Sequence, residues 1–355
     1  MSDSSLSRRA EWAPQSEVML GWPDLKGVYQ KHPEILAKAT QEVTIIAQAI
    51  AHFQPVSLYV DAERYEEAEG TLADIETPFK ISLKKVEGDG MDLWLRDFGP
   101  TFVIQDKDGD KRIVGLDYNY NGLGGSNPTP ATCEFAKKVL GERSMERIET
   151  SIVAEGGALQ VDGDGTLLAT KSSILNDNRN PGKSEQEIED ELVRTLGLEK
   201  IIWIPGRPGI DVTDCHIDAL ARFLRPGVVV LSKANQVKPT DWTMVYEEAL
   251  EILSSTIDAK GRPLEILEIE EPDQELFEPG GFGNNPPVRS YVNFLMVPGG
   301  IILPQFGDPA HDSAALRTIQ GVVGDERRIY PVLIEQLPRL GGGVHCATQE
   351  IPLLP

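Results

Sequence analysis

The segment GGGVHCATQ, residues Gly341–Gln349, places three consecutive glycines just before a histidine and a cysteine. Ordering several glycines costs backbone entropy, so the run indicates a tight loop or a ligand that approaches the backbone closely. The thiolate of a cysteine is a nucleophile, and backbone N–H groups around it lower its pKa. Cys346 is therefore a candidate nucleophile. The alternative is an inert cysteine buried after a flexible turn.

A histidine lies among aspartates in a second segment, DVTDCHIDALARFLRPG, residues 211–227. If residues 215–219 are extended, side chains alternate between two faces, so His216 and Asp218 point the same way. This would place a base beside a carboxylate. The alternative is a histidine that a local aspartate satisfies at the start of a strand.

A third segment, DLWLRDFGP at Asp92–Pro100, joins an aromatic ring to carboxylates. A guanidinium group donates to carboxylates and stacks on aromatic faces, so Trp94 and Asp97 suit a guanidinium or ammonium ligand. The alternative is a local ion pair between Arg96 and Asp97, with Trp94 in the core.

Farther along, Glu155 precedes two glycines and a DGDG turn. Gly163 is not placed as in a calcium loop, so no metal site is expected.

The composition narrows the function classes. The 355 residues include 34 Lys and Arg against 56 Asp and Glu, a net charge of −22, which excludes a general nucleic-acid binder and favours cationic partners. No apolar stretch is long enough for a membrane span, and no secretory signal is evident, so the sequence predicts a cytoplasmic protein without membrane contact.

The three cysteines, Cys133, Cys215 and Cys346, are widely spaced, so we expect them to be free thiols.

Periodicity predicts a mixed α/β chain in which strands outnumber helices about two to one. The predicted helices are His32–Phe53, Ala131–Leu140, Glu185–Leu196, Asp241–Ile257 and Ala314–Val323. The predicted strands are Val56–Val60, Thr101–Ile104, Arg112–Leu116, Thr166–Ala169, Ile201–Ile204, Val228–Leu231, Leu264–Ile269, Tyr291–Val297, Ile301–Pro304 and Arg328–Ile334. No linker divides the chain, so residues 1–355 are expected to form one domain. The Gly- and Pro-rich segment Glu270–Val288 is predicted to lack regular structure and to act as a lid or binding loop, unless it is disordered.

Six segments, taken in order, resemble the agmatine deiminase and Porphyromonas-type peptidylarginine deiminase family. They are WLRDFGP from Trp94, EGG from Glu155, HID from His216, SYVNF from Ser290, PQFGDP from Pro304 and GGGVHCATQ from Gly341. The resemblance implies a pentein fold, a five-bladed α/β propeller of pseudo-fivefold ββαβ modules around a central channel. The surplus of strands agrees with this expectation.

The resemblance also implies a role for each matching residue. Cys346 matches the nucleophile, His216 the general acid and base, and Glu155 the group that supports the histidine and the substrate nitrogens. Asp97 and Asp218 match the carboxylates that hold the guanidinium. The implied reaction hydrolyses a guanidino group to a ureido group and ammonia through a covalent amidino-cysteine, with no metal or organic cofactor. Agmatine, converted to N-carbamoylputrescine for putrescine synthesis, is the default substrate.

Departures from the family pattern concern the substrate. Val212 stands where the family has an acid that holds the amine end of agmatine, and Leu123 stands where a tryptophan is usual. The C-terminal motif is also one residue shorter before His345 than is usual. Asp214 is a candidate for the missing charge. These differences keep a peptidylarginine deiminase, or a deiminase of another guanidino compound, as alternatives.

Two further alternatives come from other classes. A cysteine hydrolase of amide bonds needs Cys346 and His216 but no carboxylates that grip a cation. A non-catalytic pentein binding protein would use the same fold without chemistry. The family likeness also suggests a homo-oligomer.

Overall fold

The computed structural model describes residues 4–25, 27–87, 90–126, 128–234, 236, 238–277, 280–281 and 287–355. The strands are β1 (Ser4–Ser7), β2 (Gln15–Gly21), β3 (Val56–Asp61), β4 (Ile81–Val86), β5 (Thr101–Lys107), β6 (Asp110–Asp117), β7 (Arg147–Glu149), β8 (Gln160–Val161), β9 (Thr166–Thr170), β10 (Lys200–Ile204), β11 (Ala221–Arg225), β12 (Val228–Lys233), β13 (Glu265–Glu270), β14 (Leu295–Val297), β15 (Gly300–Gln305), β16 (Arg328–Leu333) and β17 (Thr348–Pro352). The helices are α1 (Val28–Lys31), α2 (Pro33–Ile50), α3 (Tyr65–Leu72), α4 (Leu95–Phe98), α5 (Gly122–Gly125), α6 (Pro130–Glu142), α7 (Lys171–Ile174), α8 (Glu185–Leu196), α9 (Asp241–Ser255), α10 (Pro309–Val323) and α11 (Gln336–Leu340).

Within the described residues the strands form five small sheets. Their strand orders are β17-β2-β3-β4, β1-β5-β6-β7, β10-β9-β8, β11-β12-β13 and β14-β15-β16. Each sheet contains an antiparallel pair, β17 with β2, β5 with β6, β8 with β9, β11 with β12 and β14 with β15. The chain then crosses to a parallel third strand through α2, α6, α8, α9 or α10. Parallel neighbours need a crossover of this kind, which explains one long helix per sheet.

Local chemistry accounts for the boundaries of these elements. In α8 the Ser184 hydroxyl accepts the Glu187 N–H and the Glu187 carboxylate accepts the Ser184 N–H, the capping box that the sequence predicts. The β5–β6 hairpin turns at Asp108 and Gly109, both with positive φ, as tight hairpins require. None of the helices in the described ranges is long and apolar enough to cross a membrane.

The core lies between the sheets and their crossover helices. The largest cluster packs Val43, Ile46 and Ile50 of α2 with Leu58 of β3 and Ile302 of β15. It therefore joins two sheets that are far apart in sequence. The N- and C-terminal segments meet in one sheet as well, since β17 pairs with β2.

The mixed α/β class and all five predicted helices are confirmed, with boundaries shifted by a few residues. The strand predicted at Tyr291–Val297 is wrong in its first half, because only Leu295–Val297 is a strand and the preceding residues form a turn. The segment Glu270–Val288 is also partly corrected, since Glu270 ends β13 and Gln274–Leu276 forms a 3₁₀ turn. Positions 278, 279 and 282–286 of the predicted lid lie outside the described residues.

Candidate active site

The polar residues of the candidate site lie in five turns, each directly before the first strand of an antiparallel pair. These turns hold Asp97 before β5, Glu155 before β8, His216 and Asp218 before β11, Asn293 before β14, and Cys346 before β17. Each sheet therefore contributes one turn to the site, and the turn has the same place relative to the strands in every sheet. Because the turns come from five distant parts of the chain, no local sequence pattern could show that they meet.

Contacts between neighbouring turns link them into a closed ring. The links are Gly157 N–H to Asp97 Oδ1 (3.3 Å), His216 Nε2 with Glu155 Oε2 (3.3 Å), Asn293 Nδ2 to the Asp218 carbonyl (3.3 Å), His345 N–H to the Asn293 carbonyl (3.1 Å), and Arg96 N–H to the Cys346 carbonyl (3.1 Å). Each turn is thus held on two sides. Such a ring fixes side-chain positions better than an isolated loop would.

Three side chains converge on Gly157. A Cβ atom at this glycine would lie 2.7 Å from His216 Nδ1, 2.9 Å from Asp97 Oδ1 and 3.0 Å from Asp218 Oδ2. His216 and Asp218 therefore do face the same site. The extended conformation considered for residues 215–219 is wrong, however, because Ile217–Ala219 is a 3₁₀ turn.

The thiol of Cys346 is buried beside Asn293 and Asp218. Its Sγ lies 3.2 Å from Asn293 Nδ2 and 3.6 Å from Asp218 Oδ2. Burial, with the nearby carboxylates of Asp218 and Asp97, raises the pKa of this thiol well above its usual value. Without a bound cation, the sulfur is therefore protonated at neutral pH.

The His216 ring lies between two carboxylates. Its Nε2 is 3.3 Å from Glu155 Oε2, and its Nδ1 is 3.5 Å from Asp97 Oδ1. Burial alone would lower the pKa of His216, but Asp97 and Glu155 outweigh it and raise the pKa to about 9. The ring is thus an imidazolium at neutral pH and can donate a proton. Glu155 is also paired with Arg179, 2.9 Å away.

The two aspartates differ in their surroundings. Burial, with Asp218 and Glu155 nearby, raises the pKa of Asp97 to about 7 although His216 opposes the shift. Burial would raise the pKa of Asp218 too, but the hydrogen bond from His345 lowers it below its usual value. Both groups can therefore carry negative charge near neutral pH, with Asp218 the more firmly ionised.

A second histidine, His345, supports Asp218, and no role was predicted for it. His345 Nδ1 lies 2.7 Å from Asp218 Oδ2, and its Nε2 lies 2.8 Å from Glu11 Oε2. Glu11 in turn accepts a hydrogen bond from Arg222 at 2.6 Å. Each ring nitrogen of His345 thus has one carboxylate partner. His345 belongs to the C-terminal motif Gly341–Gln349, whereas no sequence pattern near Glu11 indicates this contact.

The glycine triplet is explained by close approach of side chains. A Cβ at Gly342 would lie 2.5 Å from the ring of Trp94, and one at Gly343 would lie 2.6 Å from Asn293 Oδ1. Asn293 Oδ1 accepts the N–H groups of His345 and Cys346, at 3.0 and 3.3 Å. Asn293 belongs to the SYVNF segment from Ser290, but the sequence pattern predicts no function for it.

A cavity of about 580 Å³ opens onto this site. Its described lining includes Cys346, Asp97 and Trp94, together with Val212 and Leu123. Within the described residues, His216 Nδ1 and Asp218 Oδ1 are buried without a hydrogen-bond partner. Buried polar atoms are rarely left unpaired, so these atoms indicate a place where a polar ligand binds.

Asp214, the candidate for the charge missing at Val212, is engaged by other residues. Its carboxylate accepts hydrogen bonds from Arg179 Nη1 at 2.6 Å, from Asn178 Nδ2 at 2.9 Å and from the Gly209 N–H at 2.7 Å. It does not belong to the described lining of the cavity. The charge of Asp214 is thus balanced by Arg179, and the structure does not bring it to the side chains around Cys346.

The arrangement suits chemistry on a planar cation. Two carboxylates, an imidazolium and a thiol surround one buried point, and a guanidinium supplies the N–H donors that the carboxylates lack. The sequence model of the Porphyromonas-type peptidyl-arginine deiminase family matches residues 7–352 of the chain. The chain belongs to this family. The family resemblance predicted from the six segments is therefore confirmed.

Relatives within the Porphyromonas-type deiminase family cover nearly the whole chain. An agmatine deiminase of Medicago truncatula is 33% identical over 370 residues, covering 97% of this chain and 96% of that protein. One of Pseudomonas syringae pv. syringae is 36% identical over 364 residues, covering 97% and 94%. The solved structure of the agmatine deiminase of Enterococcus faecalis is 26% identical, with a TM-score of 0.84 over 98% of this chain and 96% of that one.

Proposed function

We propose that the chain is a guanidino deiminase that hydrolyses agmatine to N-carbamoylputrescine and ammonia. The observation that carries this proposal is the convergence of Asp97, His216 and Asp218 on one buried point beside the Cys346 thiol. The full-length similarity to agmatine deiminases supports agmatine as the substrate. On this proposal Cys346 is the nucleophile, His216 the proton donor, and Glu155 the group that orients His216.

Substrate binding prepares the thiol. Asp97 and Asp218 hold the guanidinium, with Trp94 beside it, and the ligand brings a positive charge next to Sγ. Burial and the field of the two carboxylates otherwise keep the thiol protonated, and the positive charge of the ligand opposes that field. The thiol then releases its proton to solvent and becomes the nucleophile. Holding the planar cation close to the sulfur also turns the attack into an intramolecular step.

The first half-reaction forms a covalent bond. Cys346 Sγ attacks the guanidinium carbon, and the resulting tetrahedral intermediate is neutral. His216 donates its proton to one terminal nitrogen, the C–N bond breaks, and ammonia leaves. The product of this step is a cationic amidino-thioether on Cys346, next to a neutral His216.

The second half-reaction releases the product. Neutral His216 takes a proton from a water molecule, whose oxygen attacks the amidino carbon. The C–S bond then breaks, and the ureido product loses a proton to solvent. Cys346 is left as a thiolate and His216 as an imidazolium, and the thiolate takes up one proton from solvent once the product has left, which restores the starting groups. The sum is one guanidinium and one water converted to one ureido group, ammonia and one proton.

The pH dependence of kcat/KM follows from the raised pKa values of Asp97 and His216. We expect kcat/KM for agmatine to fall below about pH 7, because protonated Asp97 cannot hold the cation, and to fall above about pH 9, because neutral His216 cannot donate a proton. Initial rates of ammonia release between pH 5.5 and 10.5 test this expectation. A profile that stays flat from pH 6 to 8 would contradict the acidic limb.

The sheet topology also supports a proposal for the overall fold. We propose that the five sheets are the blades of a pentein propeller and that residues 1–355 form one domain, with the ring of five turns around its central channel. The hydrogen bonds that join consecutive turns support this arrangement. The cytoplasmic location and the homo-oligomer stay predictions.

The proposed function is tested with a panel of substrates. We expect ammonia and a ureido product from agmatine, with much lower rates on free arginine and on a blocked arginine peptide. Val212 and Leu123 line the cavity and carry no charge that could pair with the amine of agmatine, which favours peptidylarginine as the second candidate. Turnover of the peptide alone would select that candidate. No turnover of any guanidino compound would leave an amide hydrolase or a binding protein.

A further inference from the structure

The orientation of the Asp218 carboxylate depends on a hydrogen bond to one of its two oxygens. Its Oδ2 lies 2.7 Å from His345 Nδ1, whereas its Oδ1 is buried without a hydrogen-bond partner among the described residues. A hydrogen bond to one oxygen restricts the rotation of the planar carboxylate and thereby fixes the direction of the other oxygen. His345 therefore determines where the oxygen that is left for the guanidinium points.

The ring of His345 is in turn held at its other nitrogen. His345 Nε2 lies 2.8 Å from Glu11 Oε2, and the side chain of His345 is completely buried. Glu11 comes from the segment between β1 and β2, 334 positions away in the chain. Because a carboxylate oxygen stands at each ring nitrogen, a rotation of the ring breaks at least one of the two contacts. Glu11 thus fixes the ring that orients Asp218.

Glu11 has further partners that keep its own carboxylate in place. Its Oε2 accepts a hydrogen bond from Arg222 Nη2 at 2.6 Å, and its Oε1 accepts the Met296 N–H at 2.7 Å. Arg222 is anchored as well, since its Nε donates to Gln160 Oε1 at 3.0 Å. Burial alone would raise the pKa of Glu11, but Arg222 and His345 outweigh it and bring the pKa well below its usual value. Glu11 is therefore an ionised acceptor in a fixed position.

We propose that Glu11 is a positioning residue for the deimination reaction, because through His345 it aims Asp218 Oδ1 at the guanidinium of the substrate. This inference rests on the proposed function and adds a residue that does not touch the substrate. Glu11 does not belong to the described lining of the cavity, so its effect on the substrate passes through other side chains. Without the Glu11 carboxylate, the His345 ring can rotate, and Asp218 can turn away from the cation.

The variant Glu11→Gln tests the proposal with a side chain of the same size. An amide has one oxygen and one NH₂ group, so it cannot accept hydrogen bonds at both ends as the Glu11 carboxylate does. We expect Glu11→Gln to lower kcat/KM for agmatine about ten-fold or more. In calorimetric titrations of Cys346→Ala with agmatine, adding Glu11→Gln should raise Kd about ten-fold. If Glu11→Gln does not fold, Glu11→Asp, which keeps the charge but shortens the side chain, takes its place.

A second variant, His345→Asn, separates positioning through His345 from a general effect on the fold. The amide nitrogen of asparagine can take the place of Nδ1 and donate to Asp218, but the shorter side chain does not reach Glu11. If Glu11 acts through His345, adding Glu11→Gln to His345→Asn should change kcat/KM and Kd by less than about two-fold. Effects of the two substitutions that simply add would mean that Glu11 acts by another route, such as Arg222, and would overturn the inference.

The matched control is Glu17→Gln. Glu17 is a partly buried glutamate of β2 that pairs with Arg143 Nη1 at 2.6 Å, outside the site. This variant also removes a carboxylate from a buried arginine pair, but it should keep kcat/KM and Kd for agmatine within about two-fold of the unaltered values. Circular dichroism of each variant shows whether it is folded.

The outcomes separate this inference from the proposed function. If agmatine is turned over and Glu11→Gln changes neither kcat/KM nor Kd by more than about two-fold, the inference fails while the deiminase function stands. If no guanidino compound is turned over, the proposed function fails, and the titrations with agmatine decide the inference. A rise in Kd that disappears in the His345→Asn background would support it. Unchanged binding, or no binding of agmatine at all, would overturn it.

Discussion

Replacement of Cys346 by alanine is expected to lower kcat for agmatine by roughly 10⁴-fold or more, because the variant has no group that can form the covalent intermediate. Binding should persist, since the carboxylates of Asp97 and Asp218 and the ring of Trp94 remain. We therefore expect Cys346→Ala to bind agmatine in a calorimetric titration while it releases no measurable ammonia. Loss of chemistry without loss of binding is the result that assigns Cys346 as the nucleophile.

A matched control is available in Cys133, a partly exposed thiol on α6 outside the site. Cys133→Ala should keep full activity. Mass spectrometry of protein quenched during turnover gives a direct readout: the unaltered protein should carry an amidino adduct on the peptide that contains Cys346, and Cys346→Ala should carry none. Turnover by Cys346→Ala within ten-fold of the unaltered protein would contradict the covalent mechanism.

Much of the secondary structure was predictable because it depends on local signals. The five crossover helices show apolar periodicity over three or more turns, and α8 also carries its capping box. Short strands give weaker signals. β2 and β17, which close one sheet by joining the two ends of the chain, were not predicted, since their pairing depends on residues more than 300 positions apart.

The site was predictable only where residues stand in recognisable motifs. Cys346, His216, Asp97 and Asp218 were proposed from such motifs, and the structure brings them together around Gly157. Glu11 could not be found in this way, because it meets His345 from 334 positions away and lies in no distinctive pattern. Its contribution depends on the way in which distant sheets pack.

Asp214 shows the opposite difficulty. Its place two residues before His216 made it a plausible substrate ligand from sequence distance alone. Its backbone has a positive φ, however, and its side chain accepts hydrogen bonds from Arg179 and Asn178. Closeness in sequence to His216 therefore does not bring this carboxylate into the described lining of the cavity.

Replacement of Gly157 by alanine is expected to lower kcat for agmatine by about 100-fold or more. The added Cβ would lie within 3.0 Å of atoms in His216, Asp97 and Asp218, well inside the 3.5–4.0 Å at which nonbonded carbon atoms pack best. Each of these side chains also contacts a neighbouring turn, Asp97 at Gly157, His216 at Glu155 and Asp218 at His345, so none can move aside without losing a partner. A displacement of about 1 Å from the reactive geometry is enough for a loss of this size.

The control for this variant is Gly141→Ala. Gly141 lies on α6, and a Cβ at this position would meet nothing within 4 Å. Alanine is the better helix former by about 1 kcal/mol, so Gly141→Ala should keep full activity and melt no lower than the unaltered protein. For Gly157→Ala, circular dichroism should show a folded protein that has lost turnover. Activity within three-fold of the unaltered protein would mean that the side chains around Gly157 do not act on the substrate together, because a crowded methyl group at their common contact point could not then be tolerated.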